Sequence, residues 1–313
     1  MTKATGKERA YGASHFVLEL DGQKIPQLIR SIEGGGVKCD VLTYRSGRSP
    51  EQFRQLSRPK YEDFKIQISP SMSEPFYKWL SGFFTGEVVR YSGAVCAGDF
   101  HYSERARREF FDAMISSFDW PSMDANSKDS CFITVTVKPE RIRFEKGSGK
   151  AMPQLTGKGA TRLWLPSNFQ FSLKGFEEAC KRVVKVDGFS IKLNKIAEYQ
   201  AGNQIDPVHI PGYLEYPNIS FHLPEANAQP FIDHFTKHVI SGKKQSATRL
   251  TGHINMIDHS NTDLCGIDLE GVDISSITPD KSDSTADGMK LVKVEISVEK
   301  MKFKYESKAR DVV

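Results

Sequence analysis

The feature that most constrains the fold of this chain is an internal repeat. The stretch CFITVTVKPERIRFE at residues 131–145 and the stretch KLVKVEISVEKMKFK at residues 290–304 both alternate apolar and polar residues, and both shift phase midway. Alternation with a period of two residues is typical of a half-buried strand. A bulge or bend produces such a shift, and Pro139 marks the place in the first stretch. The repeat therefore predicts two domains, each ending in a long strand that turns a barrel corner.

Further matches run in the same order through both halves of the chain. Residues 14–22 (SHFVLELDG) align with residues 167–175 (SNFQFSLKG), and residues 31–47 align with residues 185–202. Amphipathic strands can resemble each other merely because they obey the same period, and that is the alternative explanation. Several matches, however, involve residue types that the period does not dictate. Examples are Gly34/Gly188, Lys38/Lys192, Tyr61/Tyr216, Pro75-Phe76/Pro230-Phe231 and Phe144/Phe303. We interpret the halves as a tandem duplication.

Within each half, the residue pattern predicts strands and one helix. The predicted strands lie at 15–21, about 28–46, 62–69 and 88–98 in the first half, and at 168–174, 183–200, 217–223 and 246–257 in the second. A long final strand follows in each. The fold class is thus mainly β with one short helix per domain, arranged as two tandem small β-barrel domains.

The predicted helices follow the third strand of each half. In SEPFYKWLSGFFTG, Ser73 is a candidate N-cap and Gly86 follows the predicted end. In NAQPFIDHFTKHVISG, Asn227 is the candidate cap, and the apolar residues Phe231, Phe235 and Val239 form one face.

The repeat also sets the predicted domain boundaries. We expect an N-terminal arm at 1–13, a first domain at 14–146, a linker at 147–166, a second domain at 167–306 and a C-terminal tail at 307–313. The linker is rich in Gly, Lys and Pro at its start. With 313 residues, the chain is long enough for two hydrophobic cores.

Composition excludes several classes of protein. No stretch approaches the ~20 apolar residues that span a bilayer, and the N-terminus lacks the apolar core of a signal peptide. The five cysteines are scattered without a C-x-x-C pair, which favours a reducing cytoplasm. A net charge of +4, with both signs interleaved, indicates no dedicated nucleic-acid-binding surface.

The sequence carries no recognisable catalytic motif, so we predict neither an enzyme nor a cofactor. The GSGK stretch at 147–150 lacks the rest of a phosphate-binding loop. The alternative is a metal-dependent enzyme or binding module. His234 and His238 have the i, i+4 spacing that can place two imidazoles on one metal, although HFTKH lacks the glutamate of H-E-x-x-H. The nearby acidic and histidine residues Asp258, His259 and Asp263 fit a polar loop equally well.

The ordered motifs of the first half resemble those of a known family. The order FVLELDG, SIEGGGVKCDVLTYRSG, RPKYEDFKIQI, FYKWLSGFFTG, REFFDA and DWP resembles the tail tube proteins of contractile phages and related, type VI-like contractile injection systems. The resemblance covers roughly residues 14–146 well and residues 167–306 more weakly, where ITP at 277–279 replaces DWP.

The resemblance implies a self-assembling structural protein. Tail tube domains form six-membered rings that stack into a hollow tube inside a sheath, as part of a phage tail or injection particle assembled in the cytoplasm. The implied partners are other copies of the chain, the sheath, and hub, spike or baseplate proteins, and DNA or protein cargo could pass through the lumen.

The resemblance implies roles for two sets of basic residues. Arg45, Arg48, Arg54 and Arg58, in a polar loop, would contact the adjacent ring or subunit, as would the counterpart near residues 201–209. Arg141, Arg143, Lys302 and Lys304 lie on the long strands that would line the lumen.

Two domains in one chain lead to a simple expectation for the assembly. Three chains would supply six domains, giving a homotrimeric, pseudo-sixfold ring. The alternative within the same class is a trimeric adaptor that joins the tube to a hub or spike, because an adaptor needs two inequivalent domains.

Overall fold

The computed structural model describes residues 15–25, 29–45, 47, 51–69, 73–153, 164–241, 249–258, 261–280 and 289–305. The described chain is mainly β, so the predicted fold class is confirmed. The predicted arm at 1–13 and tail at 307–313 lie outside the described residues, as does half of the predicted linker, residues 154–163. None of the helices in these ranges is long and apolar enough to cross a membrane.

The described elements of the first half follow the predicted order. They are β1 (His15–Leu20), β2 (Gln23–Ile25), β3 (Ile29–Gly34), β4 (Val37–Arg45), β5 (Gln52–Tyr61), β6 (Phe64–Ile68), α1 (Glu74–Thr85), β7 (Tyr91–Gly98), β8 (Glu104–Trp120), β9 (Met123–Asp124), β10 (Ile133–Lys138) and β11 (Arg141–Lys146).

The second half repeats this order with shorter pieces. Its elements are β12 (Phe169–Leu173), α2 (Glu177–Cys180), β13 (Lys185–Val186), β14 (Phe189–Asn194), β15 (Ala197–Tyr199), β16 (Val208–Ile210), β17 (Tyr213–Glu215), β18 (Ile219–Pro224), α3 (Gln229–Phe235), β19 (Leu250–Ile257), β20 (Asp263–Pro279) and β21 (Leu291–Tyr305). The four-residue helix α2 is additional to the one helix predicted per domain.

The two halves build antiparallel sheets of the same strand order. The first sheet runs β2-β1-β7-β8-β10-β6-β3, and the second runs β12-β19-β20-β21-β18-β13-β9. In each half, the first strand pairs with the strand that follows the helix, β1 with β7 and β12 with β19. The strand that precedes the helix pairs with a strand near the end of the half, β6 with β10 and β18 with β21. The shared order supports the duplication, which stays a prediction.

The predicted phase shift is present in both halves. In β21 the buried residues change parity between Val298 and Met301, while the strand itself continues. In the first half the chain breaks between β10 and β11 at Pro139, which has no N–H to donate to the ladder. The second half has no proline there, and β21 continues through the phase shift. Both halves also have a register shift in the neighbouring strand, around Ser116 in β8 and around Ser275 in β20.

Helix α1 matches its prediction. Ser73 is the N-cap, and Gly86 follows the last turn with a φ of +79°, a conformation that glycine adopts without strain. The apolar stripe that contains Phe76, Trp79 and Leu80 is buried, and it belongs to one hydrophobic core that extends through both halves.

The second helix differs from its prediction. Asn227 is not the cap, because it lies in a 3₁₀ turn, and Ala228 caps α3 instead. After Phe235 the chain widens into a π turn at Thr236–Ile240. This turn leaves Val239 exposed, whereas Phe231, on the same predicted apolar face, is fully buried.

The long second strands predicted at 28–46 and 183–200 are wrong as single strands. In the first half the strand divides after Gly34, whose φ is +80°. A Cβ at Gly34 would lie 2.0 Å from the carbonyl oxygen of Asp63, so this close approach requires glycine. Beyond the break, β4 leaves the main sheet and pairs with β5 as a separate hairpin.

Candidate assembly surface

The two halves contact each other by adding strands to each other's sheets. In the second half, β14 pairs with the end of β8, with Phe189 opposite Trp120 and Lys192 opposite Ser117. Conversely, β9 of the first half pairs with β13 of the second. Strand edges carry unpaired N–H and C=O groups that favour such pairing. The contact between the halves is thus a model for how two such units join.

An aromatic cluster lies beside the strand pairing. Phe303 of β21 lies 5.5 Å from Phe84 of α1 and 5.7 Å from Phe118 of β8, measured between ring centroids. Tyr77 of α1 lies 5.0 Å from the ring of Tyr305. Aromatic pairs of this kind stabilise by about 0.5–1.5 kcal/mol each beyond the area they bury. The cluster joins the two halves across their hydrophobic core.

Polar contacts join the halves at a third place. The Arg90 guanidinium donates to the Glu140 carboxylate and to the carbonyl oxygen of His209, while the His209 N–H donates to Glu140 at 2.8 Å. The Tyr61 hydroxyl donates to Asp206 at 2.6 Å. Burial, reinforced by this hydrogen bond, raises the pKa of Tyr61 to about 12.

His209 is the buried titratable group of this region. Burial lowers its pKa, and the nearby Lys138 lowers it further, although Glu198, Glu140 and Asp63 act in the opposite direction. The folded protein therefore holds His209 neutral more firmly than the unfolded chain does. Protonation of His209 favours the unfolded state.

We expect acid to weaken the fold through His209. The unfolded chain binds this proton below pH ~6.5, so the free energy of unfolding should decrease as the pH falls from 6.5 towards 5. The His209→Gln variant should show a flatter dependence than the wild type in denaturant titrations over this range. His101→Gln, at an exposed position, is the control. Equal slopes for the wild type and His209→Gln would contradict this prediction.

The arginines predicted to lie in a polar loop lie mostly on a hairpin. Arg45 lies on β4, Arg54 and Arg58 lie on β5, and Arg48 lies outside the described residues. The loop prediction is wrong for these three, because β4 and β5 pair with each other over most of their length.

The same hairpin carries an apolar surface that sequence reasoning missed. Its exposed apolar side chains are Val37, Val41, Leu42, Tyr44, Phe53 and Leu56. The rings of Tyr44 and Phe53 stack at 5.4 Å. Exposed apolar patches mark interaction surfaces. The alternation of apolar and polar residues in QFRQL, at residues 52–56, could have predicted this strand from the sequence.

The basic residues of the long strands are paired. Arg141 and Arg143 lie over the ring of Phe111, with 4.1 and 5.5 Å from guanidinium carbon to ring centroid. Lys302 contacts Glu270, and Lys304 contacts Asp268 at 2.6 Å. The hydrogen bond to Glu270 raises the pKa of Lys302. In the repeat, Arg143 of β11 corresponds to Lys302 of β21. The place of these four residues in a lumen stays a prediction.

The candidate metal residues are only partly brought together. His234 and His238 lie with ring centroids 4.2 Å apart, and burial, followed by the charge of His238, lowers the pKa of His234. Asp258 and Asp263 lie at the turn between β19 and β20, where they accept bonds from the Thr262 N–H and the Asn255 amide. His259 lies outside the described residues. In the ranges described, no three His, Cys, Asp or Glu side chains are placed to hold one metal ion.

Comparison with known proteins gives one family. The model of the family described as T4-like virus tail tube protein gp19 matches residues 12–143, which is nearly the whole first predicted domain. No curated protein matches the chain.

Two solved structures illustrate the structural similarity. The sheath-tube complex of an extracellular contractile injection system, PVC, in its extended state, has a chain that is 18% identical with a TM-score of 0.39, covering 45% of this chain and 94% of that one. The tube-terminating cap of the anti-feeding prophage is 16% identical with a TM-score of 0.39, covering 47% and 100%.

Proposed function

We propose that this protein is a structural component of a contractile tail or injection system, assembling with copies of itself, because the model of the T4-like virus tail tube protein family matches residues 12–143. The family match is the observation that carries the proposal. The protein acts by occupying a place in a particle, and we assign it no catalytic role.

The unit of assembly is a ring of three chains. The two sheets of one chain share a strand order and are joined by a contact between unlike surfaces, the end of β8 and the strand β14. Contacts between unlike surfaces generate rings when the rotation closes. Since tail tube rings have six domains, three tandem chains satisfy the same geometry with pseudo-sixfold symmetry.

Within the particle, the ring stacks on its neighbours and contacts sheath, hub, spike or baseplate proteins. The hairpin of β4 and β5, with its exposed apolar residues and with Arg45, Arg54 and Arg58, is the surface we assign to these contacts. Arg141, Arg143, Lys302 and Lys304 are assigned to the lumen, through which DNA or protein cargo would pass. Assembly takes place in the cytoplasm.

A trimeric adaptor is the second candidate, and the inequality of the halves favours it. The hairpin of the first half has continuous strands of nine and ten residues, whereas its counterpart is divided into two short strand pairs, β14 with β17 and β15 with β16. A uniform tube has no need of two different surfaces, but a junction between a tube and a threefold spike does.

Electron microscopy of the purified protein tests the proposal. We expect negatively stained samples to show hollow rings or stacked tubes, and light scattering on the same sample to give a mass above that of one chain. Rings that stack favour the tube, while single rings that bind a spike protein favour the adaptor. A compact monomer at every concentration would contradict the proposed assembly.

A further inference from the structure

Among the described residues, two strand edges have no pairing partner, one on β4 and one on the end of β20. Each edge could pair with the other if they belonged to two different chains. In the second half, β14 lies between β17 and β8. The corresponding strand of the first half, β4, pairs only with β5 among the described residues. In the first half, the end of β8 lies between β10 and β14, whereas the corresponding end of β20, Ser276–Pro279, pairs only with β21 among those residues.

The correspondence fixes a register. Lys192 matches Lys38 in the repeat, and the structure supports this match, because Lys192 lies opposite Glu215 while Lys38 lies opposite Lys60 at the equivalent place. Ser117 likewise matches Ser276. Since Lys192 lies opposite Ser117 within the chain, the equivalent pair across two chains is Lys38 with Ser276.

A second observation, the exposure of apolar side chains, identifies the same two surfaces. Phe303 and Phe84 are 9% and 5% exposed, because they contact each other across the two halves. Their counterparts by sequence are Phe144, which is 58% exposed, and Val239, which is 55% exposed. The residue next to Val239, Ile240, is 70% exposed. Phe303 and Phe84 are thus buried where the two halves meet, whereas their counterparts Phe144 and Val239 are exposed on surfaces that no described part of the chain covers.

We propose that a second copy of this chain occupies these surfaces and repeats the internal contact. The end of β20 in one chain pairs with β4 of the next, with Ser276 opposite Lys38, and Val239 of the π turn after α3 covers Phe144 of the next chain's β11. This arrangement rests on the proposed ring and specifies which strands close it. Because the paired surfaces are unlike, each chain uses one as donor and the other as acceptor.

The antiparallel register determines where a disulfide can form. Residues directly opposite each other in an antiparallel pair have Cβ atoms about 4.5–5.5 Å apart, close to the separation that a disulfide needs after a small adjustment. Neighbouring residues point to the opposite face of the strand. A bond at Ser276 and none at Ile277, the next regularly paired residue of β20, therefore reports the register.

The test uses two preparations of the full chain, each carrying Cys39→Ser to remove an exposed native thiol. One carries Lys38→Cys and the other Ser276→Cys, and they are mixed, assembled and oxidised mildly. We expect a covalent dimer in the mixture and none in either preparation alone. A mixture of Lys38→Cys with Ile277→Cys is the matched negative control, because Ile277 follows Ser276 in regular pairing and points to the other face. Ser117→Cys with Lys192→Cys in one chain is the positive control, because these residues are paired within the structure.

The outcomes separate this inference from the proposed function. Rings in micrographs without the bond between positions 38 and 276, while the positive control forms its bond, would overturn the inference and leave the ring intact. Absence of both rings and the bond would overturn both. A bond of equal yield at position 277 would overturn the register.

Discussion

Replacing Phe118 with alanine is expected to destabilise the protein by about 3–5 kcal/mol, the range for a fully buried phenylalanine. The Phe118 side chain is fully buried, and its ring contacts Phe84 and Trp120 of its own half as well as Phe303 of the second half. The variant therefore leaves a cavity where the two halves meet. Urea titration followed by tryptophan fluorescence measures the loss.

The control for this variant is Phe100→Ala, because Phe100 is 78% exposed and its removal leaves no cavity. Its stability should remain within about 0.5 kcal/mol of the wild type. A loss below about 1 kcal/mol for Phe118→Ala would show that the contact between the halves contributes little to folding.

Replacing Phe144 with aspartate is expected to abolish ring formation while leaving the single chain folded. Phe144 is largely exposed in the chain, so the charge remains solvated there and the fold keeps its stability. In the proposed contact it would lie against Val239 of another chain, where an unpaired carboxylate costs several kcal/mol of desolvation. Micrographs and light scattering should show monomers whose unfolding midpoint matches the wild type.

A matched variant separates this effect from a general effect of charge. Phe100→Asp adds the same charge at an exposed site away from the proposed contact and should still form rings. If Phe144→Asp assembles as well as Phe100→Asp does, the surface around Phe144 is not part of the interface.

Local signals made much of the fold predictable. Pro139 and the alternation around it identified the break between β10 and β11, because proline cannot donate to a strand ladder. Ser73 and Gly86 delimited α1 because both positions have strong backbone preferences. The repeat made the equivalent elements of the second half predictable from those of the first.

Contacts between distant residues were not predictable in the same way. The pairing of β14 with β8 depends on two edges, 69 residues apart at Phe189 and Trp120, and no local pattern specifies which edges meet. Strand β4 fell within the predicted second strand, but β5 was taken for a polar loop, because polar and apolar residues occur on both faces of the hairpin. The exposure of Phe144 could not be predicted either, since its counterpart Phe303 lies in the same sequence pattern and is buried.

The number of chains in one ring tests the central claim most directly, and native mass spectrometry of assembled, unstacked rings measures it. A chain of 35.2 kDa that supplies two domains should give rings of three chains, with no six-chain species. Rings of six chains would contradict the account, because each chain would then contribute only one domain's share of the ring.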